Sequence, residues 1–287
     1  ATSTPVQLPL PPAGYPFTDN CRSGMKSILD FNRARQEGRP IVMVTAYDAP
    51  SARVVAASEA DVILVGDSVA MTVHGLPSTI HATLAMMELH TAAVRRGAPD
   101  MLIVADLPFL TFRRGREAAV DAAGALLRAG ATAVKLEGVT GHEDVIAHLV
   151  GSGIPVMGHL GLTPQSVNQL GGYRLQGRSE GDAVRLQAES LRLQELGAFS
   201  LVLECVPAAL AAEITARLDL ATIGIGAGAG TSGQVLVWHD LLGLDANFRP
   251  RFARRYMDGH GEILAALNAY AADVRGARFP AREEVLA

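Results

Sequence analysis

The chain has 287 residues, 49% hydrophobic and 19% charged, with 29 acidic against 25 basic residues and a formal net charge of −4. This is the profile of a mildly acidic globular protein without the positive field that phosphate-backbone binding needs, so nucleic acid is excluded as an expected partner. Two cysteines, Cys21 and Cys205, stand far apart in no CxxC or Cys/His cluster. They argue against a disulfide framework and a zinc site, and fit a reducing, cytoplasmic setting.

The first 18 residues carry no charge and hold Pro5, Pro9, Pro11, Pro12 and Pro16. They suit neither a basic signal-peptide start nor an Arg-rich transit peptide. Residues 1–22 therefore read as a flexible proline-rich extension, and 23–287 as a single domain. The longest uncharged stretches, 68–87 and 145–173, are broken by His, Pro, Gly, Asn and Gln; neither reads as a membrane-spanning helix. From residue 41 onward, short apolar runs predict strands over 41–46, 62–66, 101–107, 133–138, 155–160, 199–206, 222–227 and 235–238. Ala/Leu/Arg/Glu segments with helical spacing lie between most of them, over 51–59, 83–95, 116–128, 144–152, 182–196 and 208–217, with a further helix over 262–275. Near-continuously apolar strands alternating with helices imply a parallel sheet covered outside, and eight repeats fit a closed (β/α)8 TIM barrel. One junction is irregular. About eight residues separate the last two runs, too few for a crossover helix, so that unit is degenerate or one run is not a strand.

In a parallel barrel the chemistry sits at the C-terminal strand ends. Here five consecutive strands end in titratable groups: Asp67, Asp106, Lys135 with Glu137, His159, and Glu204. Period-two alternation sends Val134 and Leu136 toward the helices, and Lys135 with Glu137 toward the barrel axis, where charge must be paired or metal-bound. Of the 25 basic residues only Lys26 and Lys135 are lysines, which marks Lys135 as a place where a compact point charge is wanted. Asp48, followed by Pro50, reads as a helix cap. Asp67 and Asp106 do not, because the next predicted helices start ten or more residues later. Asp67, Asp106 and Glu137 offer hard oxygen ligands without Cys or clustered His, the preference of Mg²⁺.

His159 lies in a Gly-His-Leu-Gly stretch whose small residues let it face a cavity, although a lone His also suits a core. His74, His81, His90 and His239 show no metal spacing. Gly224-Ile-Gly-Ala-Gly-Ala-Gly230 lacks the first-strand context of a dinucleotide fingerprint. Close backbone packing explains it better than a phosphate site. Cys205 has no activating base nearby in sequence and reads as inert, and the arginines of 249–255 read as a solvated face.

Val-Thr-Ala-Tyr-Asp (44–48), Val-Gly-Asp-Ser (65–68), His-Thr-Ala-Ala-Val-Arg-Arg-Gly (90–97), Ala-Asp-Leu-Pro-Phe (105–109), Val-Lys-Leu-Glu-Gly (134–138), Gly-His-Leu-Gly-Leu-Thr-Pro-Gln-Ser (158–166), Leu-Glu-Cys-Val-Pro (203–207) and Gly-Ile-Gly-Ala-Gly (224–228) occur in that order. Together, over about residues 26–283, the chain resembles the ketopantoate hydroxymethyltransferase family. The resemblance implies a barrel of the phosphoenolpyruvate-mutase and isocitrate-lyase type and a Mg²⁺-dependent transferase of pantothenate and coenzyme A biosynthesis. It would join a hydroxymethyl group from 5,10-methylenetetrahydrofolate to 3-methyl-2-oxobutanoate. By the family pattern, Asp67, Asp106 and Glu137 surround the metal, Ser68 and Lys135 hold the keto acid, Glu204 is the general base, and the chains assemble as homodecamers. Asp67, Asp106 and His159 are also expected to meet the substrate. Val69-Ala70 and Leu76-Pro77 depart from the usual family pattern. A related Mg²⁺-dependent carbon–carbon lyase acting on another 2-keto acid is the alternative.

Overall fold

The eight apolar runs form parallel strands: β1 (Ile41–Thr45), β2 (Val62–Val65), β3 (Leu102–Asp106), β4 (Ala133–Glu137), β5 (Val156–Gly161), β6 (Ser200–Glu204), β7 (Ala221–Ile225) and β8 (Gly233–Leu236). They follow one another round a closed barrel in which β8 pairs back onto β1. This computed structural model describes residues 27–285; the proline-rich extension expected over 1–22, Cys21 and Lys26 lie outside the described residues. Helix α1 (Leu29–Gln36) precedes β1, and α2 (Ala49–Ala57) follows it. After β2 come α3 (Val69–Thr72) and α4 (Leu84–Gly97), after β3 α5 (Arg116–Arg128), and after β4 α6 (Glu143–Gly151). After β5 come α7 (Val167–Leu170) and α8 (Glu180–Glu195), after β6 α9 (Ala208–Arg217), and after β8 α10 (Trp238–Leu242) and α11 (Gly259–Arg275).

Alternation along each strand divides the apolar residues between two cores. Val44, Ile63, Ile103, Val134, Leu136, Leu201 and Leu203 face outward into the layer shared with the helices. Met43, Leu64, Val104, Ala133, Met157, Val202 and Ile223 fill the barrel interior. Helix α1 closes the N-terminal end: Phe31 is wholly buried and stands edge-on to Phe199, 5.1 Å between ring centroids. With that end plugged by hydrocarbon, polar side chains of the inner face collect at the opposite mouth. Asp48 does cap α2, its side chain accepting from Ser51 N at 2.7 Å. The ten-residue gap expected after Asp67 is a misreading, since α3 starts two residues on; yet neither Asp67 nor Ser68 caps that turn through its side chain.

The last two runs are both strands, and no helix joins them. The register explains how: Ile223 pairs with Gly233, so β8 enters halfway up β7 and the chain has to return only part of a strand length. Cross-hydrogen bonds at 3.2 Å between Thr222 and Ser232 tie the return segment down. A Cβ at Gly228 or Gly230 would strike Ala208 or Ala212 of α9. The glycine run is thus a close-packing device, and the segment itself covers the barrel where a helix is missing. Among α11 residues only Gly259 is buried, and Ile263, Leu267 and Tyr270 point outward, each more than half exposed.

Candidate active site

Four neighbouring strands build the mouth. In register, Asp106 of β3 sits beside Lys135 of β4, Glu137 of β4 beside His159 of β5, and Gly161 of β5 beside Glu204 of β6. Lys135 Nζ lies 3.0 Å from Asp106 Oδ1, with both side chains about 5% exposed. It also lies 3.3 Å from His159 Nδ1. His159 Nε2 is 3.1 Å from Glu204 Oε2 and Nδ1 is 3.6 Å from Glu137 Oε1, so the ring bridges two acids. Burial and Lys135 push the His159 pKa down, but Glu137 and Glu204 outweigh them and leave it at about 9. The two acids thus favour the protonated ring, while the Lys135 contact at Nδ1 opposes it. Glu204 is the more open member, 15% exposed. Gly161 is needed for this approach: its φ of +91° is left-handed, and a Cβ there would run into the Glu204 carbonyl oxygen.

Asp67 joins from the end of β2, its backbone N–H donating to Asp106 Oδ2 at 3.0 Å. Burial, then Asp106 and Glu137, raise its pKa well above the usual carboxylate range. Ser68, half-buried, shares a 2.8 Å hydrogen bond with Tyr47 OH. The Tyr47 phenol is pushed up to about 12, mainly by burial, and remains a neutral hydroxyl. Over the mouth, Tyr173 OH donates to Met71 Sδ at 3.7 Å. Its own pKa is raised by burial and by Glu204, Asp67 and Glu137, the mark of a phenol held above the acidic cluster. Cys205 is a free thiol raised to about 11 by burial and Glu204, as expected of an inert side chain.

The charge balance is uneven. Asp67, Asp106, Glu137 and Glu204 gather about Lys135 and His159, and Arg113 approaches from the side, donating to the Glu137 carbonyl oxygen at 3.3 Å. The crowding of carboxyls that raises the Asp67 pKa is what a bound cation would relieve. Buried Asp106 Oδ1 has no hydrogen-bond donor, because the Lys135 contact misses hydrogen-bond geometry and leaves a lone pair unused. Hard oxygens, crowded carboxyls and an open lone pair fit Mg²⁺, which keeps several waters and takes only one or two carboxylates. A closed cage is absent: among the described residues no three His, Cys, Asp or Glu side chains are gathered as a ready metal site. The sequence reading set Asp67, Asp106 and Glu137 round one ion. Here Asp67 and Asp106 meet directly, whereas Glu137 is engaged by His159 and by Gln165 N, 3.0 Å from its Oε2.

Sequence reasoning missed two participants, Gln165 and Tyr47. Gln165 is buried, and its side chain donates to Asp67 Oδ2 at 2.8 Å and to Leu107 O at 3.0 Å. Its signal was position, a polar residue four places past β5 on the face where all the acids end. His74 and His90 pair with each other, Nε2 to Nε2 at 2.9 Å.

The ketopantoate hydroxymethyltransferase family model matches residues 25–282. The chain belongs to this family. It is 51% identical over 260 residues to the 3-methyl-2-oxobutanoate hydroxymethyltransferase of Bdellovibrio bacteriovorus, covering 91% of this chain and 99% of that one. It is 46% identical over 259 residues to the enzyme of the same name from Francisella tularensis subsp. tularensis, covering 90% and 98%. Among solved structures, 2,3-dimethylmalate lyase, of the PEP mutase/isocitrate lyase superfamily, superposes with a TM-score of 0.58 at 17% identity, 92% of each chain covered. Phosphonopyruvate hydrolase in complex with oxalate and Mg²⁺ gives 0.61 at 11% identity, covering 91% and 93%. These last two likenesses establish the shared barrel. For a member of the ketopantoate hydroxymethyltransferase family, the acidic mouth is the natural place for chemistry. Among the described residues no helix is long and apolar enough to cross a membrane.

Proposed function

We propose that this chain transfers a hydroxymethyl group from 5,10-methylenetetrahydrofolate to 3-methyl-2-oxobutanoate, giving ketopantoate for pantothenate and coenzyme A synthesis. The observation that carries the reading is the mouth itself, where four acids gather about one buried lysine and one buried histidine. Asp67 and Asp106, with Glu137 behind them, would hold Mg²⁺, which when bound supplies Lewis-acid polarisation of a 2-keto acid's carbonyl. Removing a proton from C3 of such an acid is easy only if the C2 oxygen takes up the charge. Lys135 is buried, and Asp106, Asp67 and Glu137 raise its pKa against the opposing effect of burial, so it stays an ammonium that can donate to that oxygen. Ser68, oriented by Tyr47, can bind the substrate carboxylate. Glu204, 3.1 Å from His159 and the most open of the four acids, takes the C3 proton. The resulting carbanion equivalent attacks the bridging carbon of methylenetetrahydrofolate; both carbon–nitrogen bonds to that carbon break, water supplies the hydroxyl oxygen, and tetrahydrofolate leaves carrying the second water proton and the equivalent of the proton taken from C3.

A soluble homodecamer acting in the cytoplasm is part of the same proposal, and the outward apolar side chains of α11 supply a surface for assembly. The alternative, a Mg²⁺-dependent lyase for another 2-keto acid, has no observation in its favour beyond the shared barrel. The deciding experiment incubates the purified chain with 3-methyl-2-oxobutanoate and Mg²⁺, with and without methylenetetrahydrofolate. Ketopantoate formed only when both Mg²⁺ and the folate are present supports the proposal; its absence under those conditions overturns it.

A further inference from the structure

Past Gly161 the chain turns inward through a single 3₁₀ turn, Pro164–Ser166, and delivers Gln165 to the centre of the mouth. Three hydrogen bonds fix it there. Its backbone N–H donates to Glu137 Oε2 at 3.0 Å, and its amide donates to Asp67 Oδ2 at 2.8 Å and to Leu107 O at 3.0 Å. The side-chain amide cannot be turned over, because its carbonyl would then face two acceptors. One residue thus ties together the ends of β2, β3 and β4 from a loop that follows β5. Glutamine has a property that arginine or lysine would lack in this place. It grips the carboxylates through donors but brings no charge, so the negative potential between them stays available for a cation.

We infer that Gln165 is the positioning residue whose side chain sets Asp67, beside Asp106, in the arrangement that receives the divalent cation. This rests on the metal reading above. Outer hydrogen-bond partners of metal carboxylates typically control about 10- to 100-fold in metal affinity. Gln165→Met keeps the length and volume of the side chain and removes both amide donors, while the backbone bond to Glu137 is retained.

The test is a calorimetric titration with Mg²⁺ alone, without substrate, on the parent chain and on Gln165→Met, alongside melting temperatures in EDTA. The expected result is a roughly 10- to 100-fold weaker Mg²⁺ affinity for Gln165→Met, with kcat largely regained at saturating Mg²⁺. Equal Mg²⁺ affinity with a lowered melting temperature would overturn the inference and leave Gln165 as a loop-packing residue. If Gln165→Met fails to fold, Gln165→Asn, one methylene too short to reach both acceptors, takes its place and is judged by the same affinity criterion. A parent chain that binds no Mg²⁺ would instead overturn the metal reading itself, so the two failures are distinct.

Discussion

Lys135→Met removes the only lysine of the mouth while preserving the bulk of its stem. In the parent its ammonium lies 3.0 Å from Asp106 Oδ1 and is 6% exposed, and Asp67 and Glu137 are close enough to raise its pKa. Losing one partner of a buried ion pair leaves the other uncompensated, which costs about 3–5 kcal/mol. For a domain of this size that is a fall of roughly 6–20 °C in melting temperature. The measurement is a thermal melt in EDTA, repeated for Asp106→Asn and for the double variant. If the destabilisation is the stranded carboxylate, adding Asp106→Asn to Lys135→Met recovers about 1–3 kcal/mol. Mg²⁺ should shrink the deficit of the single variant, because it supplies positive charge to the same oxygens. Catalysis should still fall by about 10²–10³, the usual loss for one donor aimed at a developing oxyanion. A Lys135→Met melt within about 2 °C of the parent, or strictly additive losses, would refute the argument that this pair is buried and coupled.

Glu204→Gln should retain keto-acid binding but lower proton exchange at substrate C3 by about 10²–10⁴, followed by NMR in deuterated water; parental exchange would remove Glu204 from the base role. Gly161→Ala places a methyl against the Glu204 carbonyl at a left-handed φ. It should cost about 1–2 kcal/mol in backbone strain alone and, by displacing the base, cut kcat/KM on the order of 10²-fold. An Ala variant with parental kcat/KM would show that the strand ends yield freely. His142 is held at about pKa 4 by burial and Arg113, below its ordinary 6.5. The unfolded chain therefore takes up this proton first, and the contribution is fully present above about pH 6.5, then lost as pH falls toward about 4. Discounted for screening, the loss between about pH 7 and pH 5 is on the order of 1 kcal/mol. Denaturant unfolding of the parent and of His142→Gln at the two pH values isolates it, and identical pH dependence would count against a neutral buried ring.

The barrel was legible because its strands are short, apolar and regularly spaced. The run expected over 133–138 is Ala133–Glu137, and the helices over 116–128 and 208–217 have the expected bounds. Lys135 and Glu137 could be aimed at the axis because alternation is a local rule, and the apolar outer partners Val134 and Leu136 fix its phase. What escaped depends on contacts between segments distant in sequence. The gap between the seventh and eighth runs left a degenerate unit or a false strand as alternatives; the unit is degenerate, and the half-strand offset of β8 that allows it is a property of two strands, not of either. The turns at Val69–Thr72 and Val167–Leu170 are too short to show periodicity. Gln165 is an ordinary loop residue until the chain is folded; its meaning lies in acids 98 and 28 positions away. The acids were identifiable one by one, but their unequal engagement came from His159 and Gln165 taking up Glu137.

Strand β4 carries Lys135 and Glu137 on one side and the hydrocarbon of Val134 and Leu136 on the other, hydrogen-bonded to β3 and β5 along both edges. A shift of one residue along either neighbour would turn the ammonium and the carboxylate into the greasy outer layer and swing valine and leucine into the mouth. The penalty for burying those charges unpaired is therefore a proofreading device for the whole ring. Any molecule of this chain that has closed correctly has, by the same act, assembled its reactive groups.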